Sequence, residues 1–117
     1  MFMEKKVQLS MLCEIYGNLL TKKQFNVLND YCNEDLSISE IAENNNTTRQ
    51  AINDIVKKGE NKLLEYESSL GIMKKTIKQE KQIQMILSEL GKIKENSSDK
   101  TIEKILNNVQ KELVSLV

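Results

Sequence analysis

An all-α protein is predicted for this 117-residue chain, and three observations predict it. It contains no proline and only four glycines, so little punctuates it into hairpins or short strands. Apolar residues recur at spacings of three and four over most of its length, the period of one helical face. Two capping boxes, Thr21-x-x-Gln24 and Ser37-x-x-Glu40, mark helix starts, each side chain satisfying an otherwise orphan backbone N–H. The length suits one small domain with an appended helical part.

The first helix is placed at Val7–Leu20. Val7, Met11, Ile15 and Leu19 repeat every four residues, and Leu12 and Tyr16 widen the stripe. Gly17 interrupts this helix and marks either a bend or its C-terminal cap. A second helix, Lys22–Asn33, follows the Thr21 cap and buries Phe25, Val27 and Leu28, with Tyr31 and Cys32 as further candidates. Glu34-Asp35 is an acidic turn leading into Leu36.

The stretch Leu36–Lys58 reads as two short helices joined by a tight turn, a helix-turn-helix. Ser37 caps the first of them, with Ile38, Ile41 and Ala42 on one face. Ala42 is small enough for a second helix to cross close above it. Asn44-Asn45-Asn46 breaks the pattern, and asparagine tolerates the left-handed backbone that such a turn needs. Thr47 or Thr48 starts the next helix, since either hydroxyl can accept from a free N–H. On that helix Ala51, Ile52, Ile55 and Val56 lie on one side, and Arg49, Gln50, Asn53 and Lys57 on the other. Arginine, glutamine and asparagine make paired hydrogen bonds to base edges, and lysine suits phosphate. Thr48, Arg49, Gln50, Asn53 and Lys57 are therefore the candidate nucleic-acid-binding residues. The same set of residues also suits a plain solvent-facing helix.

These pieces carry a family resemblance. Tyr16-Gly17, Leu20-Thr21 and Gln24 are followed by Tyr31, an acidic residue and Leu36-Ser37. Then come Ser39-Glu40-Ile41-Ala42-Glu43, Thr48-Arg49-Gln50-Ala51, Lys62-Leu63-Leu64-Glu65-Tyr66-Glu67 and Leu70-Gly71. In residues and spacing, about positions 7–73 resemble the YlxM family of bacterial proteins, whose wider kinship is with the DNA-binding fourth region of sigma factors. The resemblance implies a helical fold, no catalytic activity and a regulatory link to the signal recognition particle, because family members are encoded beside its GTPase component. The chain departs from the family at Asn45, Asn46 and Thr47, where relatives carry an apolar residue, a glycine and another apolar residue. That departure predicts a looser turn.

Gly59 either caps the second helix of the helix-turn-helix or is passed through, with continuation to about Glu67 favoured. Leu63, Leu64 and Tyr66 are expected to pack back onto the core. Ser68-Ser69-Leu70-Gly71 is the clearest boundary, dividing a helix-turn-helix domain at 1–70 from a helical extension at 71–117. From Glu67 onward there are nine lysines against seven acids, with Lys74, Lys75, Lys78 and Lys81 close together, a solvated face or an RNA-phosphate contact. A helix over about Gly71–Lys94 carries Ile72, Ile83, Ile86, Leu87, Leu90 and Ile93 on a stripe interrupted by Gln79. Ser98 or Asp99 caps a last helix bearing Ile102, Ile105, Leu106, Val109, Leu113 and Leu116. That spacing is the seam of a coiled coil or of a two-helix hairpin. Two arrangements satisfy it, an antiparallel hairpin within one monomer or a homodimer through both helices.

Charge and composition narrow the function. Basic and acidic residues balance at seventeen each, an objection to tight DNA binding, and Arg49 is the sole arginine. There is no histidine, no glycine-rich phosphate loop and no nucleophile elbow, so no enzyme, metal or cofactor is expected. Cys13 and Cys32 have no metal spacing and read as small buried side chains. No apolar run approaches the roughly 20 residues of a membrane span. MFMEKKVQLS has early lysines without an apolar segment behind them, so no signal peptide is expected and the cytoplasm is the default. Two functions fit: an accessory protein that binds the signal recognition particle's protein or RNA, and a sequence-specific regulator reading duplex DNA.

Overall fold

A computed structural model describes residues 3–116, so Met1 and Phe2 of the stretch read for a leader lie outside it. The described residues form α1 (Lys5–Tyr16), α2 (Lys22–Cys32), α3 (Ile38–Asn44), α4 (Arg49–Leu70), α5 (Ile72–Glu95) and α6 (Lys100–Val114), with no strand among them. The chain divides into two compact units, one ending at Met73 and the other beginning at Lys74.

In the first unit α1, α2 and α4 pack against one another, and α3 packs on α4 and α2. The two predicted capping boxes are both formed: Thr21 and Ser37 each accept from the N3 backbone, and Gln24 and Glu40 accept from the cap backbone in return. The core consists of Leu9, Leu12, Cys13 and Tyr16 from α1, Leu20 after it, Val27 and Leu28 from α2, Ile41 and Ala42 from α3, Ile52, Val56 and Leu63 from α4, and Met73 at the start of α5. Leu12, Leu28, Ile41, Ile52 and Leu63 are sealed completely, each burial worth about 1.5–3 kcal/mol.

Three sequence expectations for this unit need correction. First, α1 buries Leu9, Leu12, Cys13 and Tyr16, so the expected stripe holds at Leu12 and Tyr16 but not along Val7–Met11–Ile15–Leu19. Val7 and Leu19 are exposed, and Met11 and Ile15 sit half-buried at the rim. The helix is apolar on more than one side, and the face its neighbours cover is set by packing. Second, the first helix ends at Tyr16 rather than at Leu20, and Gly17 is its C-terminal cap, one of the two roles expected of it. It lies in right-handed backbone where the chain tightens into a short 3-10 turn over Gly17–Leu19. Its missing side chain admits Phe25, whose ring would be 2.7 Å from a Cβ there. Phe25 itself is more than one-third exposed and forms a flank rather than part of the core.

Third, α4 runs uninterrupted through Gly59, as favoured, but stops three residues beyond the expected end, at Leu70. Gly59 is buried where α4 crosses α2, and a Cβ would lie 2.6 Å from Leu28 Cδ1. The left-handed cap of α4 is Gly71, at φ 64°. Here Tyr16 ties the joint: its hydroxyl donates to Glu67 Oε1 at 2.7 Å and accepts from the Ile72 amide at 3.1 Å. The same Glu67 oxygen accepts from the Met73 amide at 2.9 Å. Two of the orphan N–H groups at the start of α5 are thus satisfied from α1 and α4. Burial and the Glu67 carboxylate push the Tyr16 phenol above its ordinary range.

In the second unit, Asp99 caps α6 by accepting from the Thr101 amide at 2.8 Å. Ile83, Leu87, Leu90 and Lys94 form the half-buried stripe of α5, and Leu106, Gln110 and Leu113 the covered stripe of α6. Leu90 and Leu106, Leu87 and Gln110, and Ile83 and Leu113 lie at matching distances on either side of the 96–99 turn. This is the register of an antiparallel hairpin, and Lys94 Nζ donates to Asn107 Oδ1 at 2.6 Å between its two helices.

Candidate nucleic-acid interface

The helix-turn-helix is closed by backbone geometry. Asn46 takes the left-handed conformation at φ 52°. The Thr47 amide reaches back to Ala42 O at 3.0 Å and the Asn46 amide to Glu43 O at 3.2 Å, the paired bonds of a Schellman termination. Asn45 adds a side-chain bond, Nδ2 to Ile41 O at 2.7 Å, to a turn whose backbone bonds are complete. Asn46→Gly is expected to stabilise the protein by about 0.5 kcal/mol, and Asn46→Val to cost about 1–2 kcal/mol, because only glycine adopts this backbone freely. Urea denaturation midpoints of the two variants check this.

Of the two candidate caps, Thr48 starts α4, its Oγ1 accepting from the Ala51 amide at 3.1 Å. Ile52 and Val56 anchor the helix to the core, with Ile55 half-buried beside them. Thr48, Arg49, Gln50, Asn53 and Lys57 are all exposed to solvent. At about 100° per residue, Arg49, Asn53, Lys57 and Gln50 occupy one arc of about 100°. Leu64 falls on that arc two turns further along and is 40% exposed, so it does not pack back on the core as expected. Lys58 and Lys62 fall on the far side of the helix and do not join the cluster.

The electrostatics of this arc differ from those of the chain as a whole. Asp54 and Glu65 project from the adjoining side of α4, outside the arc. Glu60 turns toward α1, where Lys5 Nζ lies 3.3 Å from it. Asp35 is held by Lys6 at 3.1 Å, and the same ammonium sits 4.5 Å above the Tyr31 ring. Two acids near this part of the fold are thereby paired with lysines of α1, and over positions 49–57 the arc carries Arg49 and Lys57 with no carboxylate, Glu60 following one turn later in its pair with Lys5. The zero net charge is thus unevenly distributed.

Sequence reasoning missed two further cations. Lys22 and Lys23, in the first turn of α2, line a shallow surface concavity with Asn26, Asp30 and Asn45 of the helix-turn-helix turn. A signal for them was available. Cations at a helix N-terminus oppose the helix dipole, and Lys22, Lys23 and Arg49 all stand in first turns. The backbone N–H groups at such ends suit phosphate oxygens, as the side chains do.

Among the described residues no group of three or more Cys, Asp or Glu is placed to hold a metal ion. Burial pushes the Cys13 thiol up to about 11 and raises that of Cys32, which keeps both protonated and poor as nucleophiles or ligands. No helix among the described residues is long and apolar enough to cross a membrane.

Comparison with known proteins agrees with this geometry. A family model described as "Putative helix-turn-helix protein, YlxM / p13 like" matches residues 3–113. A UPF0122 protein of Clostridium botulinum is 48% identical over 98 residues, covering 84% of this chain and 89% of that one. One from Clostridium acetobutylicum is 42% identical over 113 residues, covering 97% of each chain. One from Fusobacterium nucleatum is 40% identical over 111 residues, covering 93% of this chain and 99% of the other.

Proposed function

The chain belongs to the UPF0122 family of YlxM / p13-like proteins, and from that premise we propose that it is a non-catalytic regulatory protein that binds nucleic acid through the N-terminal half of α4. The observation that carries this is the arc of Arg49, Gln50, Asn53 and Lys57, free of carboxylates between positions 49 and 57 and exposed on a helix whose adjoining side is locked into the core. Helix-turn-helix proteins read bases with the N-terminal residues of the second helix. Thr48 caps that helix and stands beside the backbone N–H groups that suit a phosphate.

The target we propose is the cytoplasmic signal recognition particle, on its RNA or the protein bound to it. The resemblance to the YlxM family supports this, and so does charge. A duplex-scanning protein depends on sequence-independent attraction to phosphate, which a chain with seventeen charges of each sign supplies weakly. A second reading, a regulator of duplex DNA, is favoured by one observation: Arg49, Gln50 and Asn53 are the side chains that pair with guanine and adenine edges in the major groove.

Fluorescence anisotropy of the full chain against labelled particle RNA, alone and assembled with its GTPase, a scrambled RNA and a random duplex tests both. The particle RNA, in one of its two states, is expected to bind at least about ten-fold more tightly than the other probes, a difference of about 1.4 kcal/mol. Equal affinity for all probes, or no binding to any, would contradict the assignment to the particle. Selection of one duplex sequence would establish the second reading in its place.

A further inference from the structure

We infer that the outer face of the α5–α6 hairpin is a homodimer interface, two hairpins closing into a four-helix bundle. The apolar pattern of α6 is wider than one partner helix needs. Leu106 is buried and Leu113 half-buried, while Ile102, Ile105 and Val109 remain 41%, 57% and 39% exposed. On α5, Ile86 and Ile93, one heptad apart, are 46% and 51% exposed beside the covered stripe of Ile83, Leu87 and Leu90. A helix in a two-helix hairpin has one neighbour; a helix in a four-helix bundle has two, and its apolar arc broadens accordingly.

The two exposed stripes share one side of the hairpin. At about 100° per residue, Ile86 and Ile93 lie roughly 90° from the covered stripe of α5, and Ile102, Ile105 and Val109 roughly 80° from that of α6, both in the same rotational sense. Because the helices run antiparallel, equal sense places both stripes on the same broad face. That face is apolar on both of its helices and is matched by an identical face on a second copy, as a two-fold interface requires.

The area fits a second copy. The five side chains expose on the order of 400 Å² of apolar surface, whereas a standard interface buries about 800 Å² per partner, a little over half of it apolar. The polar residues flanking the stripes, among them Gln82, Glu89 and Glu112, make up the rim. Dimerisation would also carry two copies of the α4 face on one particle and raise affinity for a target with two sites by avidity.

Sedimentation equilibrium of the full chain at micromolar to tens of micromolar concentration tests this, alongside Ile105→Glu and Ile86→Glu. Both sites are solvent-facing in the monomer, so far-UV circular dichroism should remain that of the parent, and Ile105→Gln guards against a folding defect from the introduced charge. A concentration-dependent dimer is expected, weakened at least about ten-fold by either glutamate and less by glutamine. A parent chain that remains monomeric throughout, or a dimer that both glutamates leave unchanged, would overturn the inference. A monomer that binds a different protein through this face would overturn it as well.

Discussion

Gly59→Val is expected to destabilise the protein by about 3 kcal/mol, a large part of the roughly 5–15 kcal/mol that holds a domain of this kind together. By helix propensity alone the change should help, since glycine inside a helix costs up to about 1 kcal/mol relative to ordinary residues. Packing reverses the sign. A Cβ at position 59 would stand 2.6 Å from Leu28 Cδ1 and 3.4 Å from its Cγ. Leu28 has no exposed surface, so it has no open space into which to turn. Two further carbons on a β-branched side chain would push α4 away from α2 and strain the anchor of the reading helix. Gly91→Ala is the internal comparison. Nothing lies within 4 Å of a Cβ there, so the propensity gain of up to about 1 kcal/mol should appear undiminished in α5. Urea denaturation followed by circular dichroism should move the midpoint down for the first variant and leave it level or raised for the second. A stabilised Gly59→Val would show that α2 and α4 do not cross at this residue.

The second large effect concerns binding. Arg49→Ala should weaken binding to the physiological nucleic acid by about ten- to hundred-fold, the 1–3 kcal/mol carried by a paired hydrogen bond to a base edge. The guanidinium makes no ion pair among those the structure shows and lies at N1 of α4, so removing it leaves the core untouched. Lys57→Ala should behave differently. A phosphate contact carries no sequence information, so its loss should weaken every nucleic acid about equally and reduce the salt slope by about one. Anisotropy titrations at several salt concentrations separate the two roles. Equal, sequence-independent losses for both variants would make the arc a general electrostatic surface rather than a reading face.

Much of this architecture was legible because it is written in local chemistry. Thr21 and Ser37 announced their caps, Ser98 or Asp99 marked the last one, Asn44-Asn45-Asn46 announced the turn, and the alternation of Ile52, Ile55 and Val56 with Arg49, Asn53 and Lys57 fixed which side of α4 faces outward. What misled was decided by partners distant in sequence. α1 offers apolar residues on two sides, and only the positions of α2 and α4 select Leu9, Leu12, Cys13 and Tyr16. Gly59 was passed through as favoured, but its purpose, the close approach of Leu28 thirty-one positions earlier, is recorded by no local pattern. Gly17 is the same case with Phe25. The candidate arc was found from one helix alone, whereas Lys22 and Lys23 were missed because folding brings their helix beside Asn45. The pairing of Glu60 with Lys5, which removes an acid from the arc, was equally beyond a linear reading.

The central claim is that one arc of α4 touches nucleic acid. Amide chemical shifts of the labelled full chain, followed as particle RNA or duplex is added, test it most directly. The account predicts that the largest perturbations fall on Thr48–Lys57, with smaller ones at Lys22, Lys23 and Asn45. Shifts concentrated in α1 or in α5 and α6, with Arg49, Gln50 and Asn53 unmoved under saturating nucleic acid, would contradict it.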